Sequence, residues 1–250
     1  VWPLAASLLL AWLPQRVGDL ADGWRLALLA LPWLVVAAMA LYRWDWLAMP
    51  LGERFDPWRG RLLCVLFGVL GLWWLASLFR SGAAAPLPWV PVLNPMELAQ
   101  LAVLALLLRW RMEEGALPSR HVVVLSLLAF AWITSVVLHA VHQWGGRPWN
   151  GDLLSGSLAQ TSLTVTWSML GVLGWVIGSR RGQRMLWLAG AVLMGVVLAK
   201  LVLVDRQHLG NLLGIGSFIA YGLLCTVVGY VAPAPPRPET DETRNEEVAA

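Results

Sequence analysis

Seven stretches, roughly 24–42, 61–79, 92–110, 121–141, 157–178, 185–204 and 213–232, are mostly apolar. Each is about the 20 residues that a helix needs to cross a bilayer. A shorter run at 2–13 reads as the end of another span. All but one of the seven lack a fixed charge near the centre, the exception being the run that holds Lys200. Strands of a membrane barrel are nearer 10 residues and alternate, so continuous runs of this length exclude a barrel. A helical bundle pairs its own backbone groups in lipid, and it is the expected fold. The expectation is an all-α, polytopic transmembrane bundle over 1–232, with seven full spans plus one partial N-terminal span.

Composition agrees. Apolar residues are 58% of the 250 and charged residues 13%, where a soluble domain carries about 25% charged. A disordered chain, a collagen-like repeat and an ordinary soluble enzyme are excluded. Net charge is only +3, and the basic residues sit in short loops between helices. No nucleic-acid partner is expected from that distribution. Cys64 and Cys225 both lie within apolar runs, so no disulfide is expected. The chain opens at Val1 inside an apolar run, without a recognisable signal peptide, and reads as a fragment or trimmed chain. The spans that would precede it in a longer parent chain are expected partners, along with membrane lipids.

Arginine sets the orientation, because cytoplasmic loops are enriched in Lys and Arg. The loops 43–61, 109–120, 179–184 and the tail after 232 hold twelve arginines, and the loops 14–25, 80–95, 142–156 and 205–212 hold five. The bias alternates with each crossing. The richer set, the C-terminus included, is expected in the cytoplasm of a bacterial inner membrane. Trp24, Trp44, Trp46, Trp58, Trp89, Trp110, Trp144, Trp149 and Trp187 fall near helix ends, where an indole keeps its ring apolar and its N–H wet. Gly171, Gly174 and Gly178, with Gly190 and Gly195, mark a close helix contact. It lies within the chain or, alternatively, in a homodimer. The segment 233–250 is rich in proline and acid, and is expected to be a disordered cytoplasmic tail.

The polar residues collect on the outward side. Lys200 lies inside its span and Asp205 at the span's end. Either the long side chain snorkels to the headgroups, or a buried cation pairs with an acid or an anionic ligand. His139 and His142 are three apart and share a helix face. Arg147, Asp152, Asp205 and His208 fall on the same side. Two histidines with carboxylates suit proton handling, but no metal-binding signature is present, and neither metal nor cofactor is expected. Asn94, Pro95 and Glu97 read as the cap, first position and first turn of a helix, with ligand contact by Glu97 or Gln100 as the second reading. The hydroxyls of Thr161, Thr164 and Ser168 lie near one face, to bond neighbouring helices or their own helix's carbonyls, or alternatively to line a polar cavity. GxSxG, P-loop, GxGxxG and CxxC motifs are all absent.

Several stretches resemble a known family. They are Leu93-Asn94-Pro95-Met96-Glu97-Leu98, Arg184-Met185-Leu186-Trp187-Leu188-Ala189-Gly190-Ala191, the pair Lys200 and Asp205, Ser217-Phe218-Ile219 with Gly222, and Gly229-Tyr230 through Pro236. Together, over about 86–236, they resemble the C-terminal part of the bacterial multi-pass membrane proteins grouped as domain of unknown function 2339. The family pattern has an arginine near Gly214 and Ile215 that this chain lacks, so no anion site is carried over to that loop. The resemblance implies longer parent chains, an inner-membrane location and an envelope-related role, and it carries over no activity.

Three functional readings stand at this point. One is a polar site at the outer leaflet, built from Lys200, Asp205, His139, His142, Glu97, Arg147, Asp152 and His208, that binds a lipid-linked or anionic envelope component in a scaffold or transport role. Another is an enzyme on a lipid-linked sugar or acyl donor, with Glu97, Asp152, Asp205 and the histidines as acid and base. The third is a structural membrane domain, with Lys200 and Asp205 a register-fixing pair.

Overall fold

Among the described residues, nine α-helices follow one another along the chain and no strand occurs. They are α1 (Trp2–Trp12), α2 (Asp22–Tyr42), α3 (Trp44–Ala48), α4 (Arg59–Ser77), α5 (Pro95–Glu113), α6 (Ser119–Gly145), α7 (Ser157–Arg180), α8 (Arg184–Leu203) and α9 (Leu212–Val231). The computed structural model describes residues 2–12, 20–49, 52–113, 115, 118–203 and 212–231. Asp205, His208 and the tail 233–250 lie outside them.

Five segments among the described residues are long and apolar enough to span a membrane: Asp22–Tyr42, Arg54–Ser77, Arg120–Gly145, Ser157–Arg180 and Arg184–Leu203. Helix α5 bears Glu97 near its start and Arg109, Arg111 and Glu113 at its end. In α9 the apolar stretch Phe218–Val227 is shorter. The boundaries follow local chemistry. Helix α5 starts at Pro95 instead of 92, because Asn94 caps it and proline is at home in the first position. Helix α6 runs on past 141 to Gly145, and Gly146 ends it in the left-handed conformation at φ 62°.

The chain forms two compact units, Val1–Trp149 and Asn150–Ala250. In the first, α2, α4 and α5 share a core. Ala30, Ala37 and Ala40 of α2 are buried in it together with Leu63, Leu66 and Leu70 of α4. Phe67 stacks on Trp110 with centroids 4.9 Å apart. In lipid this contact gains from packing density more than from water exclusion.

The two ends of this unit are polar in different ways. At one end the Arg59 guanidinium donates to the carbonyls of Ala40 (3.1 Å) and Leu41 (3.3 Å), capping the end of α2. It also pairs with Glu113 at 3.1 Å, and Glu113 with Arg109 at 3.2 Å. At the other end, the irregular segment 78–94 lies against the start of α2. Ala21 N–H donates to Ala85 O, Gly23 N–H to Ala83 O and the Trp24 indole to Ala84 O, all within 3.0–3.1 Å. Any side chain at 23 would strike the Ala83 carbonyl. The termini of successive helices therefore alternate between the ends, as the arginine pattern requires. Residues 20–25, 78–94 and 142–149 gather at one end, and 43–49 and 52–61 with 109–113 at the other.

In the second unit, α7 and α8 meet through glycine. A Cβ on Gly178 would overlap the Trp187 backbone, and one on Gly190 would overlap the backbone of Trp175 and Gly171. The close contact read from the glycines is made between α7 and α8 at Gly171, Gly174, Gly178 and Gly190, but not at Gly195, where a Cβ would meet nothing within 4 Å. Helix α9 joins through Tyr221, whose hydroxyl donates to Met194 O at 3.0 Å.

Candidate functional site

The segment 78–94 is organised around Glu97 and His139, both completely buried at 0% exposure. Asn94 Oδ1 accepts from the Glu97 N–H at 3.0 Å, the helix cap expected from the sequence. That cap aims the Glu97 carboxyl back over the start of α5. Its Oε2 accepts from Val92 N–H at 2.6 Å. Val92 has φ 69°, a left-handed conformation that a β-branched residue adopts only under strain. The other oxygen, Oε1, meets His139 Nδ1 at 2.8 Å.

His139 completes the arrangement from α6. Its Nε2 lies 2.8 Å from Arg80 O. A carbonyl can only accept, so Nε2 carries a hydrogen. One further proton then lies between Nδ1 and Oε1. The pair is either carboxylate with imidazolium or carboxylic acid with neutral imidazole, and its net charge is zero in both forms. This is how a low-dielectric site tolerates two ionisable groups. Gly82, at φ 63°, passes so close that a Cβ would lie 3.2 Å from Nδ1. The Trp149 ring covers the imidazole at 5.0 Å, and its indole donates to Phe79 O at 3.0 Å. One turn deeper, Gln100 Nε2 donates to Ser77 Oγ at 2.7 Å.

His142 takes a different partner, the carbonyl of Arg147, and its ring meets the same Trp149 edge-on at 5.7 Å. Of the sequence candidates, Glu97 and His139 are bonded to each other, His142 lies beside them, and Arg147 contributes its carbonyl. Asp152 belongs to the second unit, where its carboxylate accepts from Asn150 Nδ2 at 3.3 Å. Among the described residues, no three His, Cys, Asp or Glu side chains converge as metal ligands.

Lys200 turns onto α7. Its ammonium donates to Thr164 Oγ1 at 2.6 Å and to Gln160 O at 3.2 Å. Thr164 is buried, and its carbonyl accepts from Ser168 Oγ at 2.7 Å. The hydroxyl face of α7 thus receives the lysine, which is the interhelix role read from the threonines. Exchanging Lys200 for methionine keeps the stem and removes the donor. Unfolding titrations in detergent should show a loss of about 1–2 kcal/mol, the scale of one polar contact between membrane helices. An unchanged midpoint would mean that the contact does not hold α7 to α8.

A recess of about 310 Å³ opens in the first unit, between α1, the start of α2 and Arg80. Asp22, Arg25 and Arg80 supply its polar wall; Leu8, Ala11, Leu26 and Leu29 supply its apolar floor. Ser7 Oγ bonds Leu29 O at 2.9 Å and holds the two helices together beneath it. In the sequence Arg25 and Arg80 are two of the five arginines in the poorer set of loops and mark only orientation. The spacing of Asp22, Arg25, Leu26 and Leu29 on one helix face was the available signal.

A family model described as predicted membrane protein (DUF2339) matches residues 1–235. No curated protein and no solved structure matches the chain.

Proposed function

Because the chain belongs to the DUF2339 family of predicted membrane proteins, we propose that it is a multi-pass protein of the bacterial inner membrane whose outward end holds a lipid-linked or anionic envelope component. The role is that of a scaffold or a transporter. In this reading α5 and α9 complete a set of seven full spans, α1 is a partial one, and the C-terminus is cytoplasmic. The twelve-to-five arginine bias between alternate loops supports that orientation.

One observation carries the reading. A segment of irregular backbone, 78–94, is bonded at Val92 and Arg80 to a completely buried Glu97–His139 pair and includes the strained Val92. Burying such a pair costs desolvation energy that an apolar pair would not. Strain and buried polar networks of this kind gather where an element must be pre-positioned for a ligand. Lys200, read at first as part of the same outward group, is a second polar feature in the other unit.

The test is the lipid that accompanies the full chain out of the membrane. Extracted with a native lipid annulus and delipidated stepwise, the protein should keep anionic, phosphate-bearing lipid after the bulk lipid is gone. Retained lipid of the same composition as the bulk membrane would overturn the proposal and leave the structural reading.

A further inference from the structure

We propose that the recess between α1, α2 and Arg80 is the seat of that component, and that its occupant is a phosphate-bearing membrane amphiphile with a hydroxyl on its headgroup. This rests on the functional reading above and assigns it to residues outside the Glu97–His139 pair.

The wall of the recess is graded along one helix face. Asp22 and Arg25 lie in the first turn of α2, and Leu26 and Leu29 follow about 1.5 and 6 Å beyond Arg25. Polar groups sit over apolar ones on that face, the order in which an amphiphile passes from headgroup to acyl chain. Leu8 of α1 extends the apolar part, and Arg80 brings a second guanidinium from the segment 78–94. A volume near 310 Å³ is at the lower end of ligand pockets, enough for a headgroup and the beginning of its chains.

Charge selects the occupant. Among the described residues neither Arg25 nor Arg80 forms an ion pair. Two guanidiniums and one carboxylate leave a net positive recess, and guanidinium presents paired donors that match phosphate oxygens. Asp22 repels a bare anion but accepts a hydrogen bond from a hydroxyl. A phosphodiester headgroup bearing a hydroxyl meets all three groups. A free phosphate would leave the leucines unused.

The Arg80 backbone is placed independently of its side chain. Its carbonyl accepts from His139 Nε2 at 2.8 Å and its N–H donates to Ser77 O at 3.1 Å. The buried pair therefore sets where the second guanidinium can reach, without taking part in binding.

Native mass spectrometry of the delipidated full chain tests the assignment, with phosphatidylglycerol, phosphatidylcholine of the same chains, and inorganic phosphate as probes. Wild type should retain phosphatidylglycerol over phosphatidylcholine, and phosphate should not compete. The double variant Arg25→Gln, Arg80→Gln should bind phosphatidylglycerol about tenfold or more weakly, the effect of losing charge-assisted hydrogen bonds. Leu29→Trp, which fills the floor, should lose it too. Arg61→Gln, at the opposite end, should not change it. If wild type binds and both recess variants bind equally well, the recess is not the seat, and the functional reading stands. If phosphate competes, or phosphatidylcholine binds as well, the amphiphile assignment is overturned. If wild type holds no anionic lipid at all, both proposals fall together.

Discussion

Replacing His139 by leucine should destabilise the first unit by about 3–5 kcal/mol, the penalty for removing one partner of a buried ionisable pair. The leucine leaves the Glu97 carboxyl facing apolar surface, and it leaves the Arg80 carbonyl without its donor. Glu97→Ala should be about as damaging, because it also frees the Val92 N–H that the carboxylate holds at 2.6 Å. Glu97→Gln is the informative contrast. Its amide oxygen can accept from Val92 while its NH₂ donates to a neutral Nδ1, so stability should stay within about 1 kcal/mol of wild type, the net worth of one hydrogen bond. The measurement is reversible unfolding in mixed micelles, followed by Trp fluorescence. If Glu97→Gln is as damaging as His139→Leu, the pair depends on its charge, and the carboxylate–imidazolium form is the native one. If His139→Leu is harmless, segment 78–94 is held by its backbone bonds alone.

The second large effect lies at the α7–α8 crossing. Gly190→Leu should cost about 3 kcal/mol, the upper part of the usual range for overpacking. The atoms that a Cβ would meet there belong to the backbone of Trp175, Gly171 and Gly174, which cannot turn aside as a side chain can. Gly195→Ala, five residues on in the same helix, is the control. Its Cβ meets nothing within 4 Å, and alanine should gain about 0.5–1 kcal/mol through helix propensity. Cysteine pairs placed across the crossing would report separation of the helices directly. Unaltered cross-linking and stability in Gly190→Leu would contradict the close contact.

Five of the seven expected spans were legible because a twenty-residue apolar run carries its meaning locally. So was the start of α5, where Asn94, Pro95 and Glu97 each have one obvious task. What Glu97 does beyond its cap was not legible. His139 is 42 positions away, and neither helix has an apolar pattern that says which face meets which. In lipid both faces of a helix are apolar, so the periodicity that orients a soluble helix is absent. The same blindness applies to Lys200. The nearby acid, Asp205, lies outside the described residues, and the structure shows the ammonium on Thr164, 36 positions back. The recess was hidden for a further reason. Arg25 and Arg80 meet at one cavity only after α1 folds onto α2.

Both ends of α2 depend on residues synthesised after it. Its last carbonyls wait for the Arg59 guanidinium, and the N–H groups of Ala21 and Gly23 wait for the carbonyls of Ala85 and Ala83. A ribosome that has just released Tyr42 has therefore delivered a span whose termini can bond only to headgroups and water. The span becomes anchored in depth and rotation when the next hairpin arm arrives. In the folded unit α2 is thus completed at both ends by the arm that follows it, so α4 and the segment after it fix its depth and rotation.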